Sequence, residues 1–195
     1  MTMTELLLGL TLGIGLSAAC GFRVFVPLLL VSATALAGWV PLGGGFAWLG
    51  TWPALTVLAA ATAFEVGAYY VPWLDHLLDG LAAPAAVAAG TILTAAQLTE
   101  LDPLLKWTLA LVAGGGTAGL VQGLTATLRG ISTATTGGFA NPLFASAELG
   151  GSLVTAILAL LLPVAVVGAL AAAILLTLIW LWRRRAPRRE LTVRA

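Results

Sequence analysis

LLLGLTLGIGLSAACGFRVFVPLLLVSATALAGWV, residues 6–40, decides the fold. A helix needs about 20 mostly apolar residues to cross roughly 30 Å of hydrocarbon, and this run is too long for one span. Gly21-Phe22-Arg23 and Pro27 interrupt it. The run therefore predicts two helices, over about 4–20 and 24–39, or one helix broken in mid-membrane.

The same grammar continues outward from this run. A Gly-rich loop, Pro41 to Thr51, leads into an apolar stretch from Pro53 to Tyr70, with proline at the helix start where its missing N–H costs nothing. Further stretches run from Leu81 to Leu98, with Pro84 near the entry, and from Leu104 to Leu128. Pro142 to Trp182 is about twice a span length and is divided by Pro163. The expected fold is an all-α, polytopic transmembrane bundle of six or seven spans with broken or short helices. Residues 1–184 would form the membrane domain and 185–195 a basic cytoplasmic tail.

Composition agrees. Of 195 residues, 60% are hydrophobic and 9% charged, with a mean hydropathy of +1.04. A soluble domain carries about a quarter charged residues, so this chain could not cover a water-facing surface. A soluble enzyme, a nucleic-acid binder with a basic face and a disordered chain are excluded. Six of the nine basic residues crowd into the last thirteen positions, in and just before the tail: Arg183, Arg184, Arg185, Arg188, Arg189 and Arg194. The positive-inside rule places that tail in the cytoplasm. With seven spans, Arg23 and Arg129 fall on the cytoplasmic side, and Glu100, Asp102 and Lys106 on the other. All seven tryptophans lie at or just beyond the expected helix ends, where an apolar ring with a polar N–H prefers the headgroup level. The single cysteine, Cys20, allows no internal disulfide. No basic segment precedes it, as a lipoprotein signal would require, and it reads as a small packing residue.

Small residues govern helix packing in lipid. Gly115, Gly119 and Gly123 recur every four residues and predict a tight seam. A weak internal echo links Gly21-Phe22-Arg23…Pro27-Leu28 with Gly138-Phe139-Ala140-Asn141-Pro142-Leu143. Paired interruptions of this kind are a pointer to repeat-built transporters, here a weak inverted repeat.

Ionisable side chains in hydrocarbon face a partner or a cavity. Arg23 lies between two apolar runs and could hold an anion, neutralise a carboxylate, or snorkel from a turn. Glu65 sits inside an apolar stretch, to be paired with Arg23 or protonated, with Tyr69 one turn on as a hydrogen-bond donor. Pro72 to Gly80 reads as a short interfacial amphipathic helix with Asp75 and Asp79 on one face and His76 nearby. No second ligand cluster accompanies them, so no metal is assigned. Arg129 to Pro142 is the most polar and irregular stretch. Its Ser132, Thr133, Thr135, Thr136, Gly137, Gly138 and Asn141, followed by Glu148, offer hydroxyls and free backbone groups for an ion or headgroup. No catalytic constellation or cofactor motif is present: His76 is the only histidine, and the chain is not expected to be an enzyme.

GLSAACGFRVFVPLLL (15–30), EVGAYYVPWLDHLLD (65–79) and LRGISTATTGGFANPLFASAE (128–148) resemble a bacterial integral-membrane family, domain of unknown function 4126. The resemblance covers nearly the whole chain short of the tail. It implies a small multi-span inner-membrane protein and carries over Gly21, Arg23, Pro27, Glu65, Asp75, Asp79, Thr136, Gly137, Gly138, Asn141, Pro142 and Glu148. Two functional readings follow. One is a small transporter or channel for an ion or small solute, proton- or cation-coupled through Glu65, with a homodimer to enclose the path. The other is a lipid-handling or accessory protein in which Arg23 and Arg129 grip phosphate headgroups.

Overall fold

The computed structural model describes residues 2–68 and 72–185, with the side chains of residues 44, 72–79, 181 and 183–185 outside the description. Every apolar run becomes helix. The helices are α1 (Met3–Phe22), α2 (Phe25–Leu36), α3 (Trp52–Ala68), α4 (Pro72–Gln97), α5 (Pro103–Leu109), α6 (Gly116–Thr136), α7 (Asn141–Leu161) and α8 (Pro163–Arg185). Five segments are long and apolar enough to cross a membrane, with α5 and α6 counted as one; α2 and α3 are shorter apolar helices. The chain is an all-helical membrane protein.

Local chemistry sets the boundaries. Thr2 and Glu5 cap α1 reciprocally: Glu5 N–H donates to Thr2 Oγ1 at 3.2 Å and Thr2 N–H to Glu5 Oε2 at 2.7 Å. α1 stops because Arg23 turns extended, at φ −146° and ψ 128°. Asp102 Oδ1 accepts the Leu104 N–H at 2.9 Å and opens α5, with Pro103 in the first turn. α5 runs into α6 through a π-helical stretch, Ala110–Gly115. At the far end of α6, Gly137 takes a left-handed φ of 63°, the usual helix-ending conformation for a residue without Cβ.

Two expectations are corrected here. Pro72–Gly80 is no separate helix. It is the first part of α4, which runs through Gly80 and Pro84 to Gln97. Arg129–Asn141 is largely regular, because α6 continues to Thr136 and only the turn to Asn141 is irregular. The threonine hydroxyls explain it: Thr133, Thr135 and Thr136 donate back to the carbonyls of Arg129, Ile131 and Ser132, which helical threonines do without leaving the helix.

α1 is the central helix. It packs antiparallel to α4, with Gly9 against Gln97, Gly13 against Thr94, and Ser17 Oγ donating to the Gly90 carbonyl at 2.8 Å. Gly21 meets Ala118 and Val121 of α6. Gly9, Gly13, Ser17 and Gly21 thus form a four-residue stripe on α1, in addition to the α6 glycines read from the sequence. Of the latter, Gly115 and Gly119 face Thr91 and Val87 of α4, whereas Gly123 faces open space.

A methyl group at Gly13 would lie 2.8 Å from the Thr94 Cα, so backbone must move. Gly13→Ala is expected to cost about 1–3 kcal/mol by overpacking and Gly123→Ala nothing measurable. Melting of the two purified variants in detergent checks the contrast.

Successive apolar helices alternate in direction. The loop after α2 returns to the Gln97 end, where Gly43 N–H donates to the Ala96 carbonyl at 3.0 Å and Lys106 lies over the Phe46 ring at 4.9 Å. α3 then descends to bring Glu65 to the start of α2. α8 runs beside α6, its Val167–Leu178 stretch flanking Thr117–Leu124, so its Arg-rich C-terminus leaves at the Arg129 end. Trp39, Trp48, Trp52 and Trp107 mark one end and Trp180 and Trp182 the other, and all six are exposed, as two headgroup belts would be.

Candidate functional site

α1 and α2 are separated by only Arg23 and Val24. Gly21 sits at the level of Val121, so this break lies inward of the Trp180–Trp182 belt. The first N–H groups of any helix lack intrahelical partners, and inside a membrane no water replaces them. Val24 provides no side-chain cap. Glu65, arriving from α3, does so: its Oε1 accepts the Val24 N–H at 2.8 Å and its Oε2 the Phe25 N–H at 3.1 Å. The carboxylate also sits where the helix dipole favours negative charge.

Arg23 points the other way, toward α7. Its Nη2 donates to the Ala145 carbonyl at 2.8 Å and lies 3.6 Å from Glu148 Oε2. The same Glu148 oxygen accepts a hydrogen bond from Arg129 Nη2 of α6. Arg23 is 2% exposed, and Glu65, Arg129 and Glu148 are each 6% exposed. Among the described side chains, two guanidiniums and two carboxylates from four elements are therefore buried in one region of the bundle. Buried charges persist only when paired and hydrogen-bonded.

The sequence predicts Glu65 paired with Arg23 or protonated; its carboxylate caps α2, while Arg23 reaches Glu148. Ser132 is buried on the same α6 face as Arg129. The hydroxyl-rich turn beyond it has a bracing role: Asn141 Nδ2 donates to Thr133 Oγ1 at 3.1 Å, and the Ser132 and Thr133 hydroxyls each lie 3.3 Å from Asn141 Oδ1. Thr133, Thr135, Thr136 and Gly137 are exposed, with Gly138 and Asn141 partly buried. These residues tie the start of α7 to the end of α6 and thereby hold Glu148 against Arg129.

Tyr69 lies outside the described residues. Asp75, His76 and Asp79 belong to α4, but their side chains lie outside the description.

Residues the sequence reading missed are the Ala145 carbonyl, the Val24 and Phe25 N–H groups, and Gln122 and Thr125. The last two are buried on the α6 face that also carries Ala118, Arg129 and Ser132. Their helical spacing was a usable signal, obscured once Arg129 onward was read as irregular.

Apolar cavities occur elsewhere among the described residues. The largest alongside α8 is a groove of about 460 Å³ between Leu120, Val121 and Leu124 of α6 and Leu170, Ile174 and Leu178 of α8. Others lie between α7 and α8 and along the Pro84–Ile92 face of α4. None of these is lined by Arg23, Glu65, Arg129 or Glu148: both arginines meet Glu148, and Glu65 meets backbone N–H groups.

The family profile described as Domain of unknown function (DUF4126) matches residues 10–184, a range that contains the whole charge cluster. No curated protein and no solved structure matches the chain.

Proposed function

The chain belongs to the DUF4126 family, and from that premise we propose that it is a small transporter for an ion or solute, coupled to a proton or cation through Glu65. The observation that carries this reading is the Glu65 carboxylate on the N-terminus of a helix broken inside the bundle. A proton or cation arriving there competes with the two N–H bonds that fasten α2 to α3. Coupling requires such a contact, one that an arriving charge strengthens or releases. Broken helices with an intramembrane carboxylate at the break provide it. In this orientation the Arg-rich tail is cytoplasmic and the cluster lies in the cytoplasmic half.

Proteoliposomes carrying the wild type should accumulate cargo under an imposed proton or sodium gradient, and Glu65→Gln should not. Intact flux in Glu65→Gln under every gradient contradicts the assignment.

A lipid-handling reading is favoured by one observation. The apolar groove between α6 and α8 runs alongside Leu120–Leu124, and Arg129 follows on the same helix. An acyl chain in the groove would bring a headgroup phosphate toward Arg129. Under this reading Glu65→Gln leaves lipid movement between leaflets unchanged.

A further inference from the structure

We infer that Glu148 occupies an oxyanion-binding site built by Arg23 and Arg129, and that the cargo is a small oxyanion which takes the place of the Glu148 carboxylate. The inference rests on the transport reading for the word cargo, but the site itself stands on geometry alone. A guanidinium is a planar fork of donors matched to carboxylate and phosphate oxygens. Here two of them, from the α1–α2 break and from α6, converge on one oxygen of a carboxylate that a third element, α7, delivers.

Arg23 has an acceptor other than Glu148. The Ala145 carbonyl accepts from Arg23 Nη2 at 2.8 Å. Arg129 projects from the buried α6 face that also carries Ser132, and Asn141 ties the turn after it to Ser132 and Thr133. Glu65, the other carboxylate, is engaged with the α2 backbone N–H groups. Among the described side chains, the Glu148 carboxylate is the group on which both arginines converge, and so the one whose place a free anion would take. A cation would meet two guanidiniums there and is disfavoured.

The chemistry fits a free phosphate or carboxylate and equally a phosphate headgroup. The test is chemical rescue of stability, which is independent of flux. Purified Glu148→Ala should melt well below wild type in chloride at fixed ionic strength. Inorganic phosphate should raise its melting temperature by about 5–10 °C when present a hundredfold above Kd, while wild type moves far less. Glu148→Ala combined with Arg129→Gln should lose the response. If phosphate fails but phosphatidylglycerol in mixed micelles rescues where phosphatidylcholine does not, the site is an oxyanion site whose source is the lipid. Should Glu148→Ala not fold in chloride, purification in phosphate followed by dialysis replaces the melt, with Glu148→Gln as the milder variant. Recovery only in phosphate then supports the site. Equal effects of phosphate on wild type and Glu148→Ala, or no stabilisation by phosphate and phosphatidylglycerol alike, overturn it. Such a result would leave the Glu65 flux experiment untouched.

Discussion

Arg23→Met is expected to destabilise the folded bundle by about 3–5 kcal/mol, the usual cost of removing one partner from a buried charge network. Methionine keeps much of the side-chain volume, so the loss is electrostatic rather than a cavity. Arg23 is 2% exposed and serves two acceptors, the Ala145 carbonyl and Glu148. Without it, Glu65 and Glu148 remain buried with one guanidinium, Arg129, among the described side chains, which become net negative. For a chain of this size each kcal/mol corresponds to roughly 2–4 °C in melting temperature, so a fall of about 6–20 °C is expected in detergent. Adding Glu148→Gln to Arg23→Met restores neutrality and should recover part of the fall. A melt within a few degrees of wild type for Arg23→Met would show that the guanidinium is solvated.

Glu65→Gln is the second large effect, and it acts on function more than on folding. Glutamine keeps one acceptor oxygen for the Val24 or Phe25 N–H but presents an NH₂ to the other. Weakening a helix cap costs about 0.5–2 kcal/mol, which a folded bundle tolerates. The side chain can no longer gain or lose a proton or attract a cation. Gradient-driven uptake should therefore fall to the level of empty liposomes, while passive exchange without a gradient persists. Glu65→Ala, which loses both N–H bonds, should also lower the melting temperature. The two variants separate the capping role of Glu65 from its charge.

Much of this architecture was legible in the residues themselves. The break at Gly21–Arg23, the proline-started helices at Pro53 and Pro142, and the division at Pro163 all appear where hydropathy and punctuation put them. Long-range contacts were not legible. Nothing near Glu65 in sequence shows that its acceptors' partners are backbone N–H groups some forty positions earlier. Residues 129–136 misled because hydroxyls signal turns in water, whereas here Thr133, Thr135 and Thr136 spend them on their own helix. The α1 stripe of Gly9, Gly13, Ser17 and Gly21 has the same four-residue spacing as the glycines of α6, and it makes the closer seam.

That charges from separate elements form one network at Glu148 is tested most directly by a double-mutant cycle on Arg129 and Glu148, using Arg129→Gln, Glu148→Gln and the double variant, read by unfolding free energy. Groups in one buried hydrogen-bonded pair show interaction energies of about 0.5–3 kcal/mol, and a value near the upper end, with the double variant more stable than additivity predicts, is expected. Strict additivity would mean that each side chain is solvated by itself, and the shared site would not exist.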